Sequence, residues 1–227
     1  MAYATSGCIS FSQMDPMKFL FLSLGLVAAL SCEHSRTTPE EAFWKWFQSN
    51  ETSLFDFEND RERIFDRLGT EMHKVNPNLT FEFGPKENNR REFVISADGI
   101  REAFPAVEAL YAAAPSLPRW KFIKFRPRRK PSDISYGGVS VRAATVSVQM
   151  KPNGKKADIT VFIPGYTQAA YNTYAAITFL FLDEALGEYD VETRVGQVNV
   201  QSPLKNPAQT YTLEDLPRAF DALFDIN

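Results

Sequence analysis

Two alternating runs, VRAATVSVQM (141–150) and ADITVFI (157–163), flank the segment KPNGKK. Period-two alternation on both sides of an Asn-Gly dipeptide is a strong short-range hairpin signal. Because successive side chains alternate faces, the register of this pair decides what enters the core. A two-residue Asn153-Gly154 loop pairs Met150 with Ala157, Val148 with Ile159, Val146 with Val161 and Ala144 with Ile163. That leaves Gln149, Ser147, Thr145, Asp158 and Thr160 on the opposite face. A three-residue Pro-Asn-Gly loop would oppose Val148 to Asp158, a poorer pattern. The hairpin commits this region to a sheet with one apolar and one polar face.

Helical signals surround it. Thr38-Pro39-Glu40-Glu41 supplies a residue for the N-cap, a proline at N1 and a glutamate at N3, and it opens the aromatic run FWKWF (43–47). Ile64, Phe65, Leu68 and Met72 recur at helical spacing over 60–74. LTFEF (79–83) and REFVIS (91–96) alternate around GPKENN and predict a second hairpin. A helix follows over 101–113, then a strand WKFIKF (120–125). YNTYAAITFLFLDEALGEY (171–189) is apolar nearly all round from Tyr174 to Leu182, which predicts a central buried helix ended by Gly187. VETRVGQVNV (191–200) predicts a strand whose alternation slips near Gly196, the mark of a bulge. Thr212 caps a last helix in which Pro217 sits awkwardly.

This order predicts an α+β fold: a single antiparallel or mixed sheet of about six strands covered by helices, compatible with a ferredoxin-like core. No repeat, low-complexity tract or internal linker divides residues 38–227, so one domain is expected there.

Composition narrows the chemistry. The chain has 227 residues and a formal charge of −3, so it lacks the bulk basic character of a nucleic-acid binder. Its two cysteines, Cys8 and Cys32, lie near the start, and the body from 33 onward has none. A body disulfide framework, a thiolate metal site and a cysteine nucleophile are thereby excluded. His34 and His73 are the two histidines, so a multi-histidine metal site cannot be built within one chain. No pattern calls for a metal or a cofactor, and Gly137-Gly138 lacks the context of a phosphate loop.

MKFLFLSLGLVAALSC (17–32) has a short positive start and a twelve-residue apolar run, Phe19 to Leu30, against the ~20 residues a membrane span needs. Its end, Ala29-Leu30-Ser31-Cys32, resembles the lipobox of bacterial lipoproteins, with Ala29 where that family usually carries a larger aliphatic residue. The resemblance covers these sixteen residues and implies acylation of Cys32, cleavage just before it, and a membrane-anchored place in the cell envelope, on the periplasmic face or cell surface. Residues 17–31 are then the signal peptide and 32–37 a polar tether. Residues 1–16 form an upstream start, with translation beginning at Met1, Met14 or Met17. An ordinary cleaved signal is the competing reading.

Several body residues are candidates, each with a plainer alternative. Arg126, Arg128, Arg129 and Lys130 sit beside Trp120, Phe122 and Phe125, and could bind an anionic glycan, a lipid headgroup or an envelope protein. Basic and aromatic interleaving also suits single-stranded nucleic acid, but export argues against that partner. The plainer alternative is a solvated loop. Asp183, at the end of the most apolar helix, could be a carboxyl of raised pKa. Its neighbour Glu184 projects about 100° away, so the two are not expected to share one site. The alternative is a helix end emerging into water. Glu82 and Glu92 lie on neighbouring strands and could act as a carboxylate pair, or form a surface ladder. His73 suits a helix C-terminus, and FWKWF suits a core. The sequence-level expectation is a membrane-tethered binding or scaffolding domain. The alternative is a small periplasmic hydrolase that uses carboxylates.

Overall fold

The computed structural model describes residues 37–205 and 209–224. The leader, with Cys8, Cys32 and His34, lies outside them, and so does the lipidation expected at Cys32.

Helix α1 (Pro39–Ser49) begins as its sequence dictates. Glu41 N donates to Thr38 Oγ1 at 3.2 Å, and Thr38 N donates to Glu41 Oε2 at 3.1 Å. This reciprocal box satisfies two N–H groups that the helix itself cannot. Phe43, Trp44 and Phe47 turn inward. After a short α2 (Glu51–Phe55), α3 (Arg61–His73) adds Ile64, Leu68 and Met72 to the same core and leaves His73 exposed at its end.

Strands β1 (Thr80–Glu87) and β2 (Arg90–Ser96) pair antiparallel. GPKENN is mostly strand, not loop: only Asn88 and Asn89 turn, both with positive φ, as a type I′ turn requires. The register shifts by one residue between Phe83 and Lys86, so Gly84-Pro85 bulges opposite Glu92. A Cβ on Gly84 would sit 2.9 Å from Glu92 Cβ. Helix α4 (Phe104–Ala112) then carries the chain back, and β3 (Trp120–Lys124) lies parallel to β2. Phe93, Ile95, Trp120, Val107, Leu110 and the inner residues of α1 and α3 form one aromatic-rich core.

The second half repeats that course. After a small hairpin, β4 (Ile134–Tyr136) with β5 (Val139–Val141), strands β6 (Ser147–Asn153) and β7 (Lys156–Phe162) pair antiparallel. Helices α5 (Tyr171–Leu186) and α6 (Glu188–Arg194) form the crossover, and β8 (Val195–Gln201) lies parallel to β7. A short β9 (Tyr211–Thr212) joins the other edge, and α7 (Leu216–Phe224) closes an aliphatic core around Val148, Ile159, Val161, Ile177, Leu182 and Phe220.

The class is α+β, but the expected single sheet of six strands is replaced by three: β1-β2-β3, β4-β5 and β8-β7-β6-β9. The β6–β7 register also differs from the expected one. Val148 faces Val161 and Met150 faces Ile159, two residues away from the predicted pairing. The loop is Gly154-Lys155, with φ +61° at Gly154, so glycine takes the first central position as in a type II′ turn. A slip of two preserves which side chains face inward, so the predicted faces hold. Gly137-Gly138, both at positive φ, form the β4–β5 turn that sequence reading passed over. Residues 191–194 are helix rather than strand, and β8 carries an extra residue between Val195 and Val198, beside Gly196. Pro217 is the second residue of α7, where a missing N–H costs the helix nothing.

Candidate functional site

Strand β3 is followed at once by Phe125, a bulky residue held at φ +61°. Its N–H donates to Ile95 O at 2.8 Å, and its ring packs against Phe104 and Tyr189. A left-handed bulky residue is costly and persists only where its surroundings fix it. Here it turns the chain out of the first sheet, and residues 126–132 run as a strap between the halves.

Glu188 anchors that strap. Its side chain is wholly buried. Oε1 accepts from Ala97 N at 3.0 Å and from Gly99 N at 3.2 Å, while Oε2 accepts from Arg126 N at 2.9 Å. Glu188 N in turn donates to Arg126 O at 3.0 Å. A buried carboxylate is tolerable only with such partners. Gly187, at φ +81°, makes the approach possible: a Cβ there would lie 3.2 Å from Arg126 O and 3.3 Å from Arg128 N.

The cations expected to form a binding loop are turned to internal work. Arg126 forms ion pairs with Glu82 at 2.6 Å, with Asp183 at 3.4 Å and with Asp98. Burial opposes its charge, but Asp98, Glu82 and Glu188 outweigh that and hold its pKa above the usual value. Arg128 grips Asp221 with both Nη atoms at 2.8 Å, reaches Asp190 at 2.6 Å and donates from Nε to Leu186 O. Arg129 meets Glu92 at 3.1 Å, and Lys130 meets Glu214 at 3.2 Å while staying mostly exposed. The segment is a clasp built from cations, not a free loop.

The carboxylate candidates separate. Glu82 and Glu92 do share a sheet face, but they serve different cations: Arg126 for Glu82, Lys121 and Arg129 for Glu92. The Lys121 hydrogen bond chiefly, with Arg129, holds Glu92 below its ordinary range. Asp183 behaves in the opposite way. Its carboxyl is pushed up to about 6, first by burial and then by Glu188 and Glu192, against the pull of Arg126. Glu192 is also raised, by burial and then by Glu188. Asp183 and Glu184 border one hollow after all, since each meets a different end of the strap: Glu184 accepts from Ser132 N and Oγ at 2.8 Å, while Asp183 faces Arg126.

Two adjoining hollows meet here, of about 300 and 360 Å³. Both are bordered by Asp98, Arg126, Leu180 and Asp183. The first continues past Glu82 and Ile134, the second past Glu192, Tyr136, Ala176 and Phe179. Their floor is the outer face of α5. That helix was expected to be buried on all sides. Instead Tyr174, Ile177, Phe181, Leu182 and Ala185 pack inward, while Phe179 is 45% and Leu180 41% exposed. Sequence reading found Asp183 but missed Glu188, Glu192 and Asp98, whose roles depend on neighbours far away in the chain. Phe179 and Leu180 were visible as an excess of apolar residues over what one helix face needs.

Among the described residues no three carboxyl, imidazole or thiol groups come together as a metal site, and no helix is long and apolar enough to cross a membrane. No protein-family model, curated protein or solved structure matches the chain.

Proposed function

We propose that this chain is a membrane-tethered binding module of the cell envelope, held by lipid on Cys32, whose recognition face is the cleft beside α5. The carrying observation is the pair Phe179 and Leu180, left uncovered on a cleft floor at the join of two cores. Apolar side chains clustered in a concavity with ionised walls mark a binding surface.

The carboxylate-hydrolase reading has one observation in its favour, the Asp183 carboxyl poised at about 6. Against it, Asp183 faces the same guanidinium that holds Glu82 and Asp98. A general acid needs a proton free to move toward a substrate, and that guanidinium favours the ionised form.

The test places a photo-crosslinking amino acid at position 179 in cells, with a control at exposed position 61 on α3. An adduct to another polypeptide at 179 and none at 61 is expected, in the membrane fraction. No adduct at 179 overturns the binding reading. A Cys32→Ser chain is expected in the soluble fraction, and its retention on membranes overturns the tether.

A further inference from the structure

The outer face of α5 carries Ala176, Phe179, Leu180 and Asp183, spaced i, i+3, i+4 and i+7, so they form one stripe. The stripe is apolar for three positions and acidic at the fourth. Tyr136, 51% exposed at the β4–β5 turn, borders it from one side. Gly137 holds that turn against the helix: a Cβ there would meet Thr173 Cγ2 at 3.0 Å.

The walls are short of positive charge. Asp98, Asp183 and Glu192 border this hollow, with Glu188 buried behind them; Arg126 lines it too, Arg129 lines the adjoining hollow, and Lys156 and Arg101 act on Glu192 from nearby. Arg126 is already shared among Glu82, Asp98 and Asp183. Burial first, and then Glu188, raises both Asp183 and Glu192, against the pull of Arg126 on the former and of Lys156 and Arg101 on the latter. A ligand bringing an ammonium or guanidinium group relieves the shortage of positive charge, whereas an anionic headgroup meets repulsion.

We propose that the occupant of this cleft is a cationic amphipathic segment of a partner polypeptide, its apolar residues on Ala176, Phe179, Leu180 and Tyr136 and its lysine or arginine against Asp98, Asp183 and Glu192. This rests on the binding-module reading and deepens it. A small polyamine would satisfy the acids but leave the apolar stripe wet. An anionic bilayer would cover the stripe but face the acids. A helix laid in the groove supplies both kinds of group at matching spacing.

The experiment measures fluorescence anisotropy of a labelled peptide of lysine and leucine at helical spacing, titrated with the full chain. The comparisons are the same peptide with glutamate for lysine, the same with serine for leucine, and phosphatidylglycerol vesicles. The lysine–leucine peptide alone is expected to bind. Phe179→Ser with Leu180→Ser should weaken it about tenfold, since both side chains are already partly covered in the free protein and each has only part of its apolar area left to bury. Glu192→Gln should weaken it about threefold, and added salt should mimic that change. Phe179 and Leu180 are exposed and Glu192 is half-buried, and an unchanged near-ultraviolet circular dichroism spectrum confirms that each variant folds. Binding of the glutamate peptide or of vesicles with equal affinity overturns the proposal, as does equal binding of the lysine–serine peptide. If no probe binds while position 179 still crosslinks in cells, the partner chemistry is wrong and the binding module stands. If crosslinking fails as well, both fall.

Discussion

In the amino-terminal half, β1 and β2 turn through Asn88-Asn89, and the chain returns through α4 to lay β3 parallel to β2. In the carboxy-terminal half, β6 and β7 turn through Gly154-Lys155, and the chain returns through α5 and α6 to lay β8 parallel to β7. The course is the same and the filling differs. Phe43, Trp44, Phe47, Phe93 and Trp120 interlock in the first core, with Phe47 and Trp120 centroids 4.9 Å apart. Valine, isoleucine and leucine dominate the second. The crossover helices differ as well. α4 spans 9 residues, while α5 spans 16 and carries a second apolar stripe that its own core does not use. The shared strand–strand–helix–strand course thus sets where the central strands lie, and the surplus on one helix decides which half presents a surface.

The largest expected effect breaks the connection between the halves. Glu188→Gln removes the charge that three backbone N–H groups share, and should destabilise the fold by about 3 kcal/mol. All 3 tryptophans (Trp44, Trp46 and Trp120) lie in the first half. Urea unfolding followed by tryptophan fluorescence and by far-ultraviolet circular dichroism should coincide in the parent and separate in the variant. Coincident curves with an unchanged midpoint would show that the clasp does not couple the cores.

Asp183→Asn is expected next in size. The Asp183 carboxyl titrates higher folded than unfolded, so its contribution is fully present below about pH 4 and is lost as pH rises through about 6. Burial sets that window first, then Arg126, Glu188 and Glu192, while Glu82 and Asp98 share Arg126 with Asp183. The variant should therefore gain on the parent between those values, ending on the order of 2 kcal/mol more stable at neutral pH. Glu92 and Asp221, held low by their cations, act with the opposite sign and are common to both proteins. A parent–variant difference that is flat with pH would place Asp183 in water.

The smallest effects compare the two turns. Gly154→Ala puts a side chain at φ +61° and should cost about 1 kcal/mol. Asn89→Gly, at φ +58°, should change stability by less than about 0.5 kcal/mol, because asparagine already tolerates that conformation. Equal thermal shifts for the two would mean that turn geometry is not what distinguishes the hairpins.

Legibility in the sequence followed the range of each interaction. The Thr38–Glu41 box spans three residues, and it forms as read. The inward faces of β6 and β7 follow from alternation, but the register depended on which residue took the positive φ, which alternation does not encode. Val191 and Val195 suggested a strand because the event that makes 188–194 helical is distant: Glu188 reaches N–H groups of residues 97, 99 and 126. The site shows the same divide. Asp183 announced itself as an acid beside an apolar run. The ion pairs of Arg126 join positions 28 to 57 residues away, and no local spacing records them. A cluster of arginines read as a loop for anions therefore turned out to be consumed by the fold's own acids.

The bulge at Gly84-Pro85 carries a further consequence. β1 is the outer strand of its sheet, and an outer strand is an invitation to pair with a second chain. Pro85 has no N–H to offer, and the extra residue throws the strand out of step there. A neighbouring molecule that began to zip onto β1 would lose its ladder at that point, so the kink acts as a guard against aggregation in a protein that leaves apolar surface open elsewhere.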